Sequence, residues 1–259
     1  MVNAKFAAPL TPGHMNTPAS KSDIDPKKNQ ILAALPKADY QRLLPHLTSV
    51  PLPLGWTMSE SGDHVRYVHF PTDGIVSLVY RLEDGSSSEV ALVGNEGIVG
   101  ISIFMGGESM PTFTTVQNAG HAFRLDRATM KREFELGGEL QKLSLLYTQA
   151  LISQTAQTAV CNQHHSIEQQ LSRWLLMSTD YLQNNDLTVT QELIASMLGT
   201  RRESVSAAAG TLQRAGLLTV RRGHITVLDR KKMEQHSCEC YETVKDEYAR
   251  LLPQPSTVE

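Results

Sequence analysis

What this chain of 259 residues has little of narrows its chemistry first. Only three cysteines occur, Cys161, Cys238 and Cys240, and none precedes residue 161. Three thiols cannot build a disulfide framework, so the chain reads as one that folds in a reducing compartment. No run of eighteen apolar residues occurs, which excludes a spanning helix and argues against a membrane partner. Met1 to Ser20 lacks the charged start and apolar core of a signal peptide, so a cytoplasmic location is expected. There is no G-x-S-x-G, no P-loop and no H-E-x-x-H, so no catalytic residue is assigned and an enzyme is not expected.

Charge, by contrast, is unevenly placed. The whole chain carries −3, yet Leu187 to Lys232 holds eight basic residues (Arg201, Arg202, Arg214, Arg221, Arg222, Arg230, Lys231, Lys232) against three acidic ones (Glu192, Glu203, Asp229). Such concentration favours nucleic acid over a diffuse solubilising surface. The same stretch predicts two short helices and a hairpin. Thr188 and Thr190 offer side-chain caps, and Leu193, Ile194, Met197 and Leu198 share one face. Gly199 stops that helix, and Thr200 to Glu203 predicts a capping box that starts the second, with Val205, Ala208 and Leu212 continuing the apolar stripe. Small Ala195 suits a close helix crossing. Strands around Leu218–Val220 and Ile225–Leu228 flank a basic turn, Arg221-Arg222-Gly223-His224. The pattern is a winged helix-turn-helix, with Arg201, Arg202 and Ser206 near the reading end of the second helix and Glu203 able to accept from cytosine. A pair of solvated amphipathic helices is the competing reading; the agreement of turn, caps, wing and charge favours DNA.

These residues carry a family resemblance. Thr190-Gln191-Glu192-Leu193-Ile194-Ala195, Gly199 to Val205, Gly216-Leu217-Leu218 and Ile225-Thr226-Val227 resemble the DNA-binding domain of the Crp/Fnr regulators, and the likeness extends weakly over most of the chain. It implies double-stranded DNA as a partner, with Thr190, Gln191, Thr200, Arg201, Arg202, Glu203, Ser206, Arg221 and Arg222 as the expected contact set. It also implies a homodimer and RNA polymerase as a further partner. The implied fold is α+β: an N-terminal cyclic-nucleotide-binding-like β-jelly-roll barrel, a long dimerisation helix, and a C-terminal winged helix-turn-helix.

The rest of the chain fits that order. Residues 1–25 lack periodicity and read as a disordered tail. Residues 26–135 form the expected sensor domain: two short helices broken at Pro36 and Pro45, then strands at Val65–Phe70, Gly74–Tyr80, Glu89–Val93, Thr114–Val116 and His121–Leu125. Residues 136–163 predict the dimerisation helix. Leu136, Leu140, Leu143, Tyr147, Ala150 and Gln154 step by four and three like a coiled-coil seam. A break at Asn162 to Ser166 suggests a hinge, and Ser166 can cap a helix from Ile167 to Leu182. Residues 164–232 make the DNA-binding domain, and 233–259 a charged extension without an assigned role.

Cofactor expectations rest on residues that are missing. In the resemblance, cyclic-nucleotide binders use a Gly-Glu pair and then an Arg-Ser or Arg-Thr pair. Here the matching positions are Gly100, Ile101, Pro111 (or Met110) and Thr112, so the phosphate cassette is degenerate, cyclic AMP is not expected and the effector is unknown. Iron-sulfur relatives carry cysteines near the N-terminus, which this chain lacks. Haem stays open because His64, His69 and His121 fall in the barrel. His236-Ser237-Cys238-Glu239-Cys240 is metal-like, but it lacks C-x-x-C spacing and a nearby second ligand pair, and His164-His165 reads as a hinge cap or surface pair. No metal is therefore expected. The alternative function is a sensor or interaction module whose helix-turn-helix touches only protein.

Overall fold

The structure is a computed structural model that describes residues 24–253. The expected tail therefore lies outside the described residues as far as residue 23; Asp25 is inside, and its carboxylate caps the short turn Pro26–Lys28. Two helices follow, α1 (Gln30–Ala34) and α2 (Lys37–Leu43), and the break between them falls at Leu35-Pro36 as the proline demands. Buried Asn29 caps α1 and donates its amide to the carbonyls of Pro71 (3.0 Å) and Gly97 (2.9 Å), fixing the helical cover to the sheet.

The N-terminal sheet is antiparallel throughout, in the order β1 (Thr48–Leu52), β5 (Phe113–Asp126), β3 (Tyr67–Arg81), β4 (Ser87–Val93), with β2 (Thr57–Ser59) also on β5. The expected strands Val65–Phe70 and Gly74–Tyr80 are one long strand, not a hairpin, and so are Thr114–Val116 and His121–Leu125. The register of β3 on β5 shifts at Pro71/Asp73 and Asp73/Ile75. There Gly74 (φ 85°) and Gly120 meet so closely that a Cβ on either would collide with backbone of the facing strand. A bulge bends a strand without ending it, and the turn-like Thr72-Asp73-Gly74 is such a bend. Two helices were not anticipated, α3 (Ser102–Met105) and α4 (Arg127–Glu135); the second is capped by Asp126.

The long helix α5 spans Glu139–His164. Its expected seam is corrected by the packing. Leu140, Leu143, Tyr147, Ala150 and Gln154 are buried inside the chain itself, and Leu136 precedes the helix and is 60% exposed. Tyr147 packs in the sensor core, and Gln154 accepts from the Leu92 amide and donates to the phenols of Tyr181 and Tyr248. The heptad spacing was real, but it records a face turned to the chain's own core. A second set with the same spacing, Leu145, Gln149, Ile152, Ala156 and Ala159, faces outward.

The break expected at Asn162 to Ser166 is shorter, because α5 runs on to His164 and only His165 and Ser166 interrupt the helix; α6 (Ile167–Leu182) starts at a capping box between Ser166 and Gln169. Its residues 170–179 are all buried, because it lies between the sensor strands and the domain that follows. That domain holds β6 (Asp186–Thr188), α7 (Gln191–Met197), α8 (Arg202–Arg214), β7 (Leu218–Arg221) and β8 (His224–Val227), with strand order β6-β8-β7. The extension is two helices, α9 (Arg230–His236) and α10 (Cys240–Leu251), folded back on α6 and α5. Val244 packs with the reader core, and Leu251 with the sensor core.

Candidate nucleic-acid interface and sensor cavity

Thr190 caps α7 by accepting from the Leu193 amide, whereas Thr188 lies in β6 and caps nothing. Gly199 takes the left-handed conformation (φ 62°) that ends the helix. The expected capping box at Thr200–Glu203 does not form: Arg201 is the N-cap of α8, and no side chain bonds to the first turn. The uncapped end keeps its outward amides for an external anion, and the helix dipole favours one there.

Arg201, Arg202 and Glu203 are exposed at this end of α8. Arg202 lines a groove with Thr190, Gln191 and the wing residues Arg221 and Arg222. The wing is held in place by the Val189 amide bonding the Gly223 carbonyl at 3.0 Å and by the Val220 amide bonding Gln213 Oε1 at 3.0 Å. Ser206 is less free than expected, since its hydroxyl donates to Gln191 Oε1 at 2.6 Å. It orients Gln191 within the groove. Arg230 is removed from the basic surface altogether: it pairs with Asp180 and Glu234 and donates to Tyr241, clamping α9 to α6.

The N-terminal sheet touches this helix-turn-helix domain. The hairpin between β3 and β4 brings Gly85, Ser86 and Ser87 beside Arg201 and Arg202, and the Ser87 and Ser196 hydroxyls lie 2.7 Å apart. Deeper in the same contact, the Trp174 indole donates to buried Glu89 at 2.9 Å. Burial pushes the Glu89 carboxyl up to about 8.

A cavity of 530 Å³ opens in the N-terminal domain. Of the degenerate cassette, Gly100, Ile101, Met110 and Thr112 line it, and Pro111 does not. Thr112 is buried with an unpartnered hydroxyl. The cassette positions carry no guanidinium, as read from the sequence, but Arg66, from the segment before β3, and Arg124, from β5, line the cavity. Arg124 stacks over the Tyr67 ring, 4.4 Å from its centre. Nothing near the cassette in sequence signals either arginine, because strand pairing brings them in. His64 and His69 also line the cavity, while His121 pairs with Asp73 at 3.5 Å elsewhere. Burial, then the Arg124 charge, pushes His69 down to about 4, so it is neutral near pH 7.

One further grouping was missed. Cys161 and His165, at the end of α5, meet Cys238 and Cys240 from the break between α9 and α10. The expectation of no metal rested on the absence of a second ligand pair near Cys238 in sequence; folding supplies that pair from 73 or more residues away, and His164 and His236 are not part of it.

Residues 169–236 match the Crp-like helix-turn-helix domain family. A Crp/Fnr-family transcriptional regulator from Eubacterium rectale is similar in structure, with a TM-score of 0.63 at 16% identity over 83% of this chain and 99% of that one. FixK2 from Bradyrhizobium japonicum gives 0.64 at 14% identity over 74% and 98%. The c-di-GMP responsive regulator CLP from Xanthomonas campestris gives 0.58 at 15% identity over 75% and 100%. At these identities the likeness is one of fold. No curated protein matches the sequence.

Proposed function

We propose that this chain, which carries a Crp-like helix-turn-helix domain on the fold of the Crp/Fnr regulators, is a transcription regulator that reads a pseudo-palindromic operator as a homodimer and answers to a small molecule in its sensor cavity. The observation that carries the reading is the groove shared by Arg202 on α8 and Arg221 and Arg222 on the wing. One arginine can reach base edges while two neutralise phosphates. Thr190, Gln191, Thr200, Arg201 and Glu203 complete the surface around it, and Ser206 acts through Gln191.

Twofold symmetry is needed to read two half-sites, and the outward face of α5 is suited to provide it. Leu145 (47% exposed) and Ile152 (62%) are large apolar residues, with small Ala156 and Ala159 beyond them. Sensor (26–135), dimer helix and reader are the working division of the chain, with the extension returning to bind the first two to the third. RNA polymerase is the partner expected of such a regulator bound to DNA in the cytoplasm.

The effector is an anion in this reading, because Arg66, Arg124 and the free Thr112 hydroxyl face the cavity. Salt titration of binding to a selected operator tests the whole proposal. Counterion release gives a steep fall of affinity with salt; a shallow slope would point instead to a protein-only interface.

A further inference from the structure

We propose that Cys161, His165, Cys238 and Cys240 bind one zinc ion that ties the end of the long helix to the C-terminal helices. The four donor atoms lie within 4.8 Å of one another. Cys161 Sγ is 3.6 Å from Cys238 Sγ, and Cys240 Sγ is 3.4 Å from His165 Nδ1. A tetrahedral zinc with Zn–S near 2.3 Å and Zn–N near 2.0–2.1 Å sets its ligands about 3.5–3.8 Å apart along each edge, so these two separations are close to its edges, and the others, at most 4.8 Å, need close by only about 1 Å around a single ion. An iron-sulfur cluster spreads its ligands over several irons and needs a wider cage.

The chain delivers the donors by two short motifs. Cys161 and His165 are four apart, one turn of α5, and project from the same side. Cys238 and Cys240 flank Glu239 where α9 has ended and α10 begins, which turns both thiols inward. All three cysteines are buried and pack on one another.

The surroundings suit a metal rather than three bare thiols. His165 faces Cys240 through Nδ1, while its Nε2 lies 3.3 Å from the Glu239 carboxylate. A proton held on Nε2 by that carboxylate leaves Nδ1 with its lone pair toward the donors, the arrangement that orients metal-bound histidines. Gln157 Nε2 donates to Cys240 Sγ at 3.0 Å. Three thiolates on a divalent ion leave one negative charge, and buried Arg173 lies nearby, donating to the Thr158 hydroxyl at 3.3 Å, three residues before Cys161 on α5. Among the described residues Arg173 forms no ion pair, and its Nε has no acceptor. Three soft sulfurs and one imidazole in a closed shell select zinc and leave no open position for substrate, so the role is structural. On binding, the three thiols give up their protons to solvent and nothing is oxidised or reduced.

The break between α5 and α6 at His165-Ser166 sits inside this site, so the ion would fix the direction in which α6 leaves α5. The test uses the full chain, reduced, free of any histidine tag and reconstituted with zinc. One zinc per chain after desalting, and with cobalt an intense thiolate charge-transfer band with tetrahedral d–d bands, are expected. Cys238→Ser and Cys240→Ser lose stoichiometric metal, while His236→Ala, on a histidine beside Glu168, retains it. Glu239 is largely exposed, so Glu239→Ala folds normally and weakens zinc by about 10–100-fold. Absence of metal in the reduced wild type overturns the proposal, as does a Cys161–Cys238 disulfide that, once reduced, takes up none. Loss in His236→Ala with retention in His165→Ala would equally overturn the ligand assignment.

Discussion

At the scale of single residues, the proposed reading and sensing each turn on a guanidinium. Arg202 stands at the uncapped end of α8 facing the wing. In the family resemblance it carries the base-reading arginine, but a second such arginine falls on Ala207, so the half-site read here should be shorter or different. Arg202→Ala is expected to cost about 1–3 kcal/mol on the selected operator and to relax preference at one base pair. An unchanged profile across an operator library would remove Arg202 from the reading surface. In the proposed sensor cavity, Arg124 would stand in only partly for the arginine that the resemblance expects in the cassette, because it is stacked on Tyr67, and apolar Ile101 would offer a ribose hydroxyl no acceptor. Cyclic AMP should therefore bind roughly a thousandfold more weakly than to a complete cassette. Calorimetry near physiological salt measures this directly. A micromolar dissociation constant that is lost in Arg124→Ala would show that the relocated guanidinium suffices.

At the scale of elements, α5 shows what a sequence pattern can and cannot say. Its heptads were legible, and so were the caps at Thr190 and Ser166 and the exit at Gly199, because each is a local rule acting on neighbouring residues. Which heptad face meets a partner was not legible, since two interleaved sets carry the same spacing and only tertiary packing separates them. The same limit joined β3 across Gly74, placed Arg124 in the cavity and brought Cys161 to Cys238. The two faces make distinct predictions. Leu145→Asp with Ile152→Asp puts charges on the exposed set, and should give a folded monomer that has lost operator affinity. Leu140→Asp with Leu143→Asp puts them in the sensor core and should unfold the chain. Sedimentation with circular dichroism distinguishes the outcomes; a folded dimer from the first pair would exclude the outward face as the interface.

At the scale of the whole molecule, sensor and reader share one continuous core: Ile75, Val79, Leu92 and Phe113 of the sheet pack with Leu171, Trp174 and Leu175 of α6. Glu89 is the polar group set into that contact, bonded to Trp174 and close enough to Arg173 to feel its charge. Its carboxyl is raised from 4.5 to about 8, first by burial, so the native state keeps a proton that the unfolded chain has already released above pH 4.5. The native state then binds more protons than the unfolded state, and stability falls as pH rises between those two values. The cost is absent below about pH 4.5 and complete above about pH 8, with an upper bound of about 5 kcal/mol. Glu89→Gln keeps an acceptor for the indole and removes the ionisation. Relative to the wild type, this variant should therefore gain stability steadily from pH 5 to pH 8 and level off above it. Because the contact joins sensor to reader, the wild type should also expose α6 and the β3–β4 hairpin to hydrogen exchange more readily at pH 9 than the variant does, once exchange rates are corrected for pH. Denaturant unfolding of both proteins at matched pH values reads the difference. Parallel pH profiles would mean that Glu89 is already ionised in the fold, held so by Arg173, and that this interface is insensitive to pH.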